Sequence, residues 1–168
     1  MGEYQYVTTG ECCSRQTCPV APRAEDVKIK CRTFGATIIP DATEEGATFP
    51  LVNLNVDTLG YKKPCVKLEF YTNILTDTAT GTLNFQVFQQ CKGQLAPVPV
   101  SGIWTFARAV ATADEANSFG FALCDCDDCD CGCCNYSVVA TVAGEATTGT
   151  ITINNATLIA TITEGAHC

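Results

Sequence analysis

A chain of 168 residues is one domain by length, and at that size folding buries roughly 70% of the surface the unfolded chain exposes, so a core forms without staples. The thirteen cysteines are therefore free for cross-linking, metal binding or redox chemistry. A net charge of −8 with scattered Lys and Arg argues against nucleic acid as a partner, and the lack of any apolar run near the roughly 18 residues of a spanning helix argues against a membrane.

Residues 1–25 read as an arm rather than as part of the domain. They hold Gly2, Gly10, Pro19 and Pro22, and no helical period. Within them, Tyr4-Gln5-Tyr6-Val7-Thr8-Thr9 is strand-prone and suited to adding to another sheet. The start, MGEYQYVTTGECC, is polar and acidic and has no basic segment followed by an apolar one, so the expectation is a chain made without a Sec signal peptide. Cys12 and Cys13 are adjacent, and neighbouring cysteines rarely bond to each other because the small ring strains the disulfide. Thirteen steps separate Cys13 from Asp26, a reach of about 43 Å when extended, against a domain roughly 40 Å across. The arm can thus cross a subunit boundary, and its cysteines point to intermolecular bonds, with Cys18 nearer the base of the arm.

Residues 26–168 read as β throughout. Val27, Ile29 and Cys31 alternate with Lys28, Lys30 and Arg32; Val52, Leu54 and Val56 with Asn53, Asn55 and Asp57. Val66, Leu68 and Phe70 alternate with Lys67, Glu69 and Tyr71; Leu83, Phe85 and Val87 with Asn84, Gln86 and Phe88. Period two with one polar face predicts half-buried antiparallel strands, and it places Cys31 on the apolar face of the first. Further runs follow at 103–110, 119–124, 136–142 and 148–163, the last folded at Asn154-Asn155. Turn chemistry separates them at 77–81, at Gly93 with Pro97 and Pro99, and at Gly144. Thr112 with Glu115 matches a capping box and predicts one helical turn at most. Eight or nine short strands predict an all-β antiparallel sandwich, a jelly roll first and an immunoglobulin-like Greek key second.

Six cysteines crowd into CDCDDCDCGCC: Cys124, Cys126, Cys129, Cys131, Cys133 and Cys134. Two knuckles of Cys-x-x-Cys separated by a spacer are missing, and the aspartates do not match a calcium loop. The main reading is a turn between strands pinned by local or inter-subunit disulfides. A metal–thiolate site, at Cys124, Cys126, Cys129 and Cys131, is the alternative, and free thiols a third. The total of thirteen is odd, so one cysteine has no partner within the chain. Catalysis has little to work with. The single histidine, His167, sits beside the C-terminus, and no Gly-rich phosphate loop is present. Neither enzymatic activity nor a cofactor is expected. Disulfide-rich composition without an export signal fits a protein made inside a cell that later lyses, such as the mother cell of a spore. A cytosolic zinc protein with reduced cysteines is the rival.

The stretch from VNLNVDT through PCVKLEF, GTLNFQVF, the Trp-Thr-Phe strand and SFGFALCDC to INNATL resembles a clostridial domain-of-unknown-function family of small cysteine-rich β proteins, over about residues 50–163. A cysteine-bearing arm ahead of a jelly roll, here Val7, Cys12-Cys13 and Cys18, is similar to the endospore appendage (Ena-type) pilins. That resemblance implies an arm docked into a preceding subunit, and disulfides to cysteines on the first and last strands. It makes Cys31 the acceptor and Cys168, beyond the last strand, a weaker one. The cysteine-dense loop is not part of the pilin pattern. The expected function is a self-assembling subunit of a spore-surface fibre, its partner being itself in a helical homopolymer. The alternatives are a metal-binding or redox protein using the loop, and a non-fibrous spore-coat or exosporium cross-linker.

Overall fold

The computed structural model describes residues 27–111, 114–126 and 132–164. Among the described residues there are eight strands: β1 Lys28–Thr33, β2 Thr37–Ile39, β3 Thr48–Asp57, β4 Pro64–Cys91, β5 Val98–Pro99, β6 Trp104–Arg108, β7 Glu115–Asp125 and β8 Cys133–Glu164. All pairings are antiparallel.

Two long strands organise everything else. Residues 64–77 of β4 pair with 150–164 of β8, and residues 82–91 with 134–143, so the two strands form one ribbon bent in the middle. One side of the bend carries the order β1 and β2, β8, β4, β7; the other carries β3, β8, β4, β6 with short β5. Two four-stranded layers in these orders are those of a jelly roll, the first choice from sequence. Positive φ recurs at the bend, at Gly144 (77°) and Gly149 (64°), where glycine takes it without strain, and at Thr78 (41°), where a β-branched residue does so at a cost. A Cβ on Gly149 would lie 2.6 Å from the Asp77 carbonyl oxygen, so only glycine lets the two strands cross this closely.

Alternation along the ribbon fills the space between the layers. Leu68, Phe70, Leu83, Phe85 and Val87 of β4 are fully buried, as are Val138, Ala140, Leu158, Ala160 and Ile162 of β8. Val52, Leu54 and Val56 of β3 point inward too, as their period predicts. Rings from three strands close one side of the core: Trp104 stacks on Phe121 at 4.0 Å between centroids, and Phe85 lies 4.6 Å from Phe119.

Three sequence expectations change. The chain does not fold back at Asn154-Asn155. Tyr71 pairs with Thr157 and Asn73 with Asn154, so two β8 residues face Thr72 in a β-bulge. Asn155 takes φ 54°, which asparagine tolerates, and Thr72 Oγ1 donates to the Asn154 carbonyl at 2.7 Å. The bulge shifts the buried phase from Ile151 and Ile153 to Ala156 and Leu158. The helical turn expected around Thr112 and Glu115 is not seen from Glu115 on, and Thr112 itself lies outside the described residues. Glu115 opens β7 opposite Thr76, and its carboxylate pairs with Arg108 instead of turning back on the chain. The third change concerns β1, whose apolar face points outward.

Candidate functional site

Two features of this fold bear on function: the cysteine-bearing end of the sandwich and the outer face of β1.

At the end opposite the bend, the two layers are not joined by a continuous strand. β7 ends there in the first layer and β8 begins there in the second, and cysteines stand on both sides of this crossing. Disulfides join Cys65 to Cys126 and Cys91 to Cys134, and Cys124 and Cys133 are disulfide-bonded as well. Cys65 and Cys126 flank the register pair Val66–Asp125 in the first layer, while Cys91 and Cys134 are themselves register partners in the second. Each side of the crossing is thus tied to one end of β4. The sequence separations of 61 and 43 residues correspond to about 4 kcal/mol of loop-closure entropy for each bond. Main-chain bonds add to the clamp: the Thr58 N–H donates to the Gly132 carbonyl at 2.8 Å and the Lys92 N–H to the Cys133 carbonyl at 3.1 Å.

A buried polar cluster sits under the same clamp. The Tyr136 hydroxyl donates to Asp125 Oδ2 at 2.6 Å, and Gln89 Nε2 donates to that oxygen at 2.8 Å. Gln89 Nε2 also lies 2.9 Å from the Tyr136 hydroxyl oxygen. Burying a carboxylate requires such donors. Each of the three residues stands one or two positions from a bonded cysteine, so the disulfides hold the cluster in place.

Of the sequence-predicted loop residues, Cys124, Cys126, Cys133 and Cys134 are thus in disulfides, whereas Cys129 and Cys131 lie outside the described residues. A sulfur in a disulfide offers no thiolate to a metal. Cys65 and Cys91 were not anticipated as partners. A signal was available, because Cys91 continues the inward phase of Leu83, Phe85, Val87 and Gln89. The arm cysteines Cys12, Cys13 and Cys18, together with His167 and Cys168, lie outside the described residues.

Cys31 is a free and exposed thiol, and its surroundings reverse the sequence expectation. In register with β8, Lys28, Lys30 and Arg32 take the phase of the inward residues Ile162, Ala160 and Leu158. At a sheet edge that phase opens onto the flank of β3, not onto the core. Lys30 Nζ reaches the Asn55 carbonyl at 3.3 Å and Arg32 Nη1 reaches Asn53 Oδ1 at 2.8 Å, so the long basic side chains close the seam between the layers. The apolar residues are left facing out. Ile29 is 66% exposed, Val27 58% and Ile38 of β2 60%, with Cys31 among them beside its register partner Ile159. Phe34 adds an exposed ring under the Arg32 guanidinium, 5.3 Å from its centroid.

Two solved structures that share this fold come from a virus. A chain in the structure of infectious bursal disease virus, Gt strain, is 10% identical with a TM-score of 0.54, covering 96% of this chain and 39% of its own. The Gx strain gives 14% identity and a TM-score of 0.51, over 86% of this chain and 33% of the other. This chain therefore spans about a third to two-fifths of the viral chains it matches, and at such identity the likeness is one of fold. A carbohydrate-binding module specific for non-crystalline cellulose, CBM28, is 12% identical over 77% of this chain and 79% of its own, with a TM-score of 0.40 that carries no argument. No curated protein is similar enough in sequence to count as a relative. The chain does match a family along most of its length, over residues 26–163, and so belongs to the family of the domain of unknown function DUF4489.

Proposed function

We propose that this chain is a self-assembling structural subunit of a spore-surface fibre, similar to the endospore appendage pilins, with no enzymatic role. The N-terminal arm docks onto a neighbouring copy and is locked there by disulfides. The observation that carries the reading is the outer face of β1. Among the described residues β1 lies at the edge of its layer, and its outer face exposes Val27, Ile29 and a free thiol at Cys31, an apolar strip ready to be covered. An arm with a strand-prone segment and the cysteines Cys12, Cys13 and Cys18 supplies both an added strand and the bond. Arm-to-face contact between identical chains is head-to-tail and does not close, which gives a filament. The jelly roll, its ends tied by a bent ribbon and by disulfides, is the rigid body that such a filament strings together. Assembly takes place outside the cell, after the mother cell lyses.

Negative-stain microscopy and non-reducing gels test this. Wild-type protein is expected to form filaments and to run as a ladder after boiling in SDS. Cys31→Ser, or Cys12→Ser with Cys13→Ser, should still assemble but collapse the ladder largely to monomer, because docking precedes bond formation. Cross-linked material without regular filaments would favour a coat or exosporium cross-linker. Stoichiometric metal with unpaired loop cysteines in protein isolated without reductant would favour the metal-binding alternative.

A further inference from the structure

The outer face of the first layer carries a second feature, distinct from the apolar strip of β1. A shallow recess of about 430 Å³ lies beside the β8 bulge, bordered by Tyr71, Asn73, Ser118, Gly120 and Asn155. Its centre is an aromatic ring held down on the sheet. Tyr71 pairs in register with Gly120, and a Cβ on Gly120 would lie 2.8 Å from Tyr71 Cδ1 and 3.2 Å from Cε1, so the ring covers the glycine. Its hydroxyl donates to Glu69 Oε1 at 3.3 Å, two residues back on the same face, which lays the ring along the strand. The side chain stays 50% exposed. An upright tyrosine would offer an edge; this one offers a face.

Polar groups stand around that face. Ser118 Oγ donates to Asn73 Oδ1 at 3.3 Å, which orients the Asn73 amide and leaves its N–H groups for a ligand. Asn155, at φ 54° in the bulge, sets a second amide on the rim. The bulge is thus the reason the recess exists: it breaks the flat sheet next to the ring. None of the bordering residues is charged, and the nearest carboxylate, Glu69, is already bonded to Lys67 at 3.2 Å.

We infer that this recess binds a neutral pyranose glycan. A pyranose presents an apolar C–H face that stacks on an aromatic ring and equatorial hydroxyls that both donate and accept. The lining offers a ring for the first and two amides with a serine hydroxyl for the second. A cation would find no free carboxylate there, and an anion no positive charge. In a fibre subunit the site would repeat along the surface, so that weak single contacts add by multivalency.

The test is labelled full-length protein over an array of neutral gluco-, manno-, xylo- and N-acetylglucosamine oligosaccharides, with acidic oligosaccharides alongside. Binding to at least one neutral series is expected. Tyr71→Ala should weaken it by about tenfold or more, and Tyr71→Phe should keep it, since stacking needs the ring and not the hydroxyl. Asn73→Ala with Asn155→Gly should also weaken binding, and it serves as an independent readout should Tyr71→Ala fail to fold by circular dichroism. No binding to any neutral series, binding to acidic series alone, or binding unchanged in these variants would overturn the proposal. Filaments are scored separately by microscopy, so a chain that assembles without binding, or binds without assembling, tells the two proposals apart.

Discussion

Single residues in this fold are constrained by where the backbone bends and by what the edges expose. Gly149 combines a positive φ with contact against the Asp77 and Thr78 carbonyls. Gly149→Ala should cost about 1–3 kcal/mol, read as a shift of the urea midpoint with an unchanged slope. Arg108, its side chain largely buried, joins β6 to β7 by an ion pair with the exposed Glu115. The hydrogen bond from Arg108 holds the Glu115 carboxyl below its ordinary value of 4.5. A depressed carboxyl stabilises the fold above the unfolded value and loses that contribution as pH falls through the folded one. Arg108→Gln should therefore destabilise slightly at pH 7 and not at pH 3, a difference measured by thermal melts at the two values. Equal losses at both would assign Arg108 a packing role instead. Cys65 and Cys91 were hard to read as partners because each sits far along the chain from the cysteine-dense loop. Only antiparallel pairing brings them to it.

Among the elements, β1 is the one whose period misled. Alternation in Val27–Arg32 is regular, and regular alternation normally buries its apolar half. Among the described residues β1 has a strand neighbour on one side only, and its inner phase is occupied by lysine and arginine stems that reach across to β3. Period identifies two faces; it does not say which faces the core. If the arm docks on the exposed face of a neighbouring copy, as proposed, its own domain does not need it to fold. Deleting residues 1–18 should leave a soluble monomer with β-type circular dichroism, since the described core from β1 to β8 is complete without them. Loss of the fold on deletion would show instead that the arm belongs to the sandwich.

The whole molecule is closed by different means at its two ends, by the bent β4–β8 ribbon at one and by disulfides at the other. Cys65→Ser with Cys126→Ser should lower stability by about 4 kcal/mol under oxidising conditions, the loop-closure value for that bond. The variant and wild type should converge in reductant, and a persistent gap there would mean that serine harms packing rather than that the bond is lost. At this scale the sequence carried a good deal on its own. Strict alternation in β3 and in both halves of β4 pointed to an antiparallel sandwich, because an apolar sheet face must be covered by a second layer and the chain has no amphipathic helical run to supply one. Turn residues marked the breaks at Thr78 and Gly144. Tertiary structure decided the rest. Whether a break is a turn or a bend depends on what pairs across it, so the apolar runs at 136–142 and 148–163 became one strand and Asn154-Asn155 became a bulge. Disulfide pairing depends on register between strands far apart in the chain. The outward face of β1 depends on its place at an edge, and an edge is a property of the sheet, not of the strand.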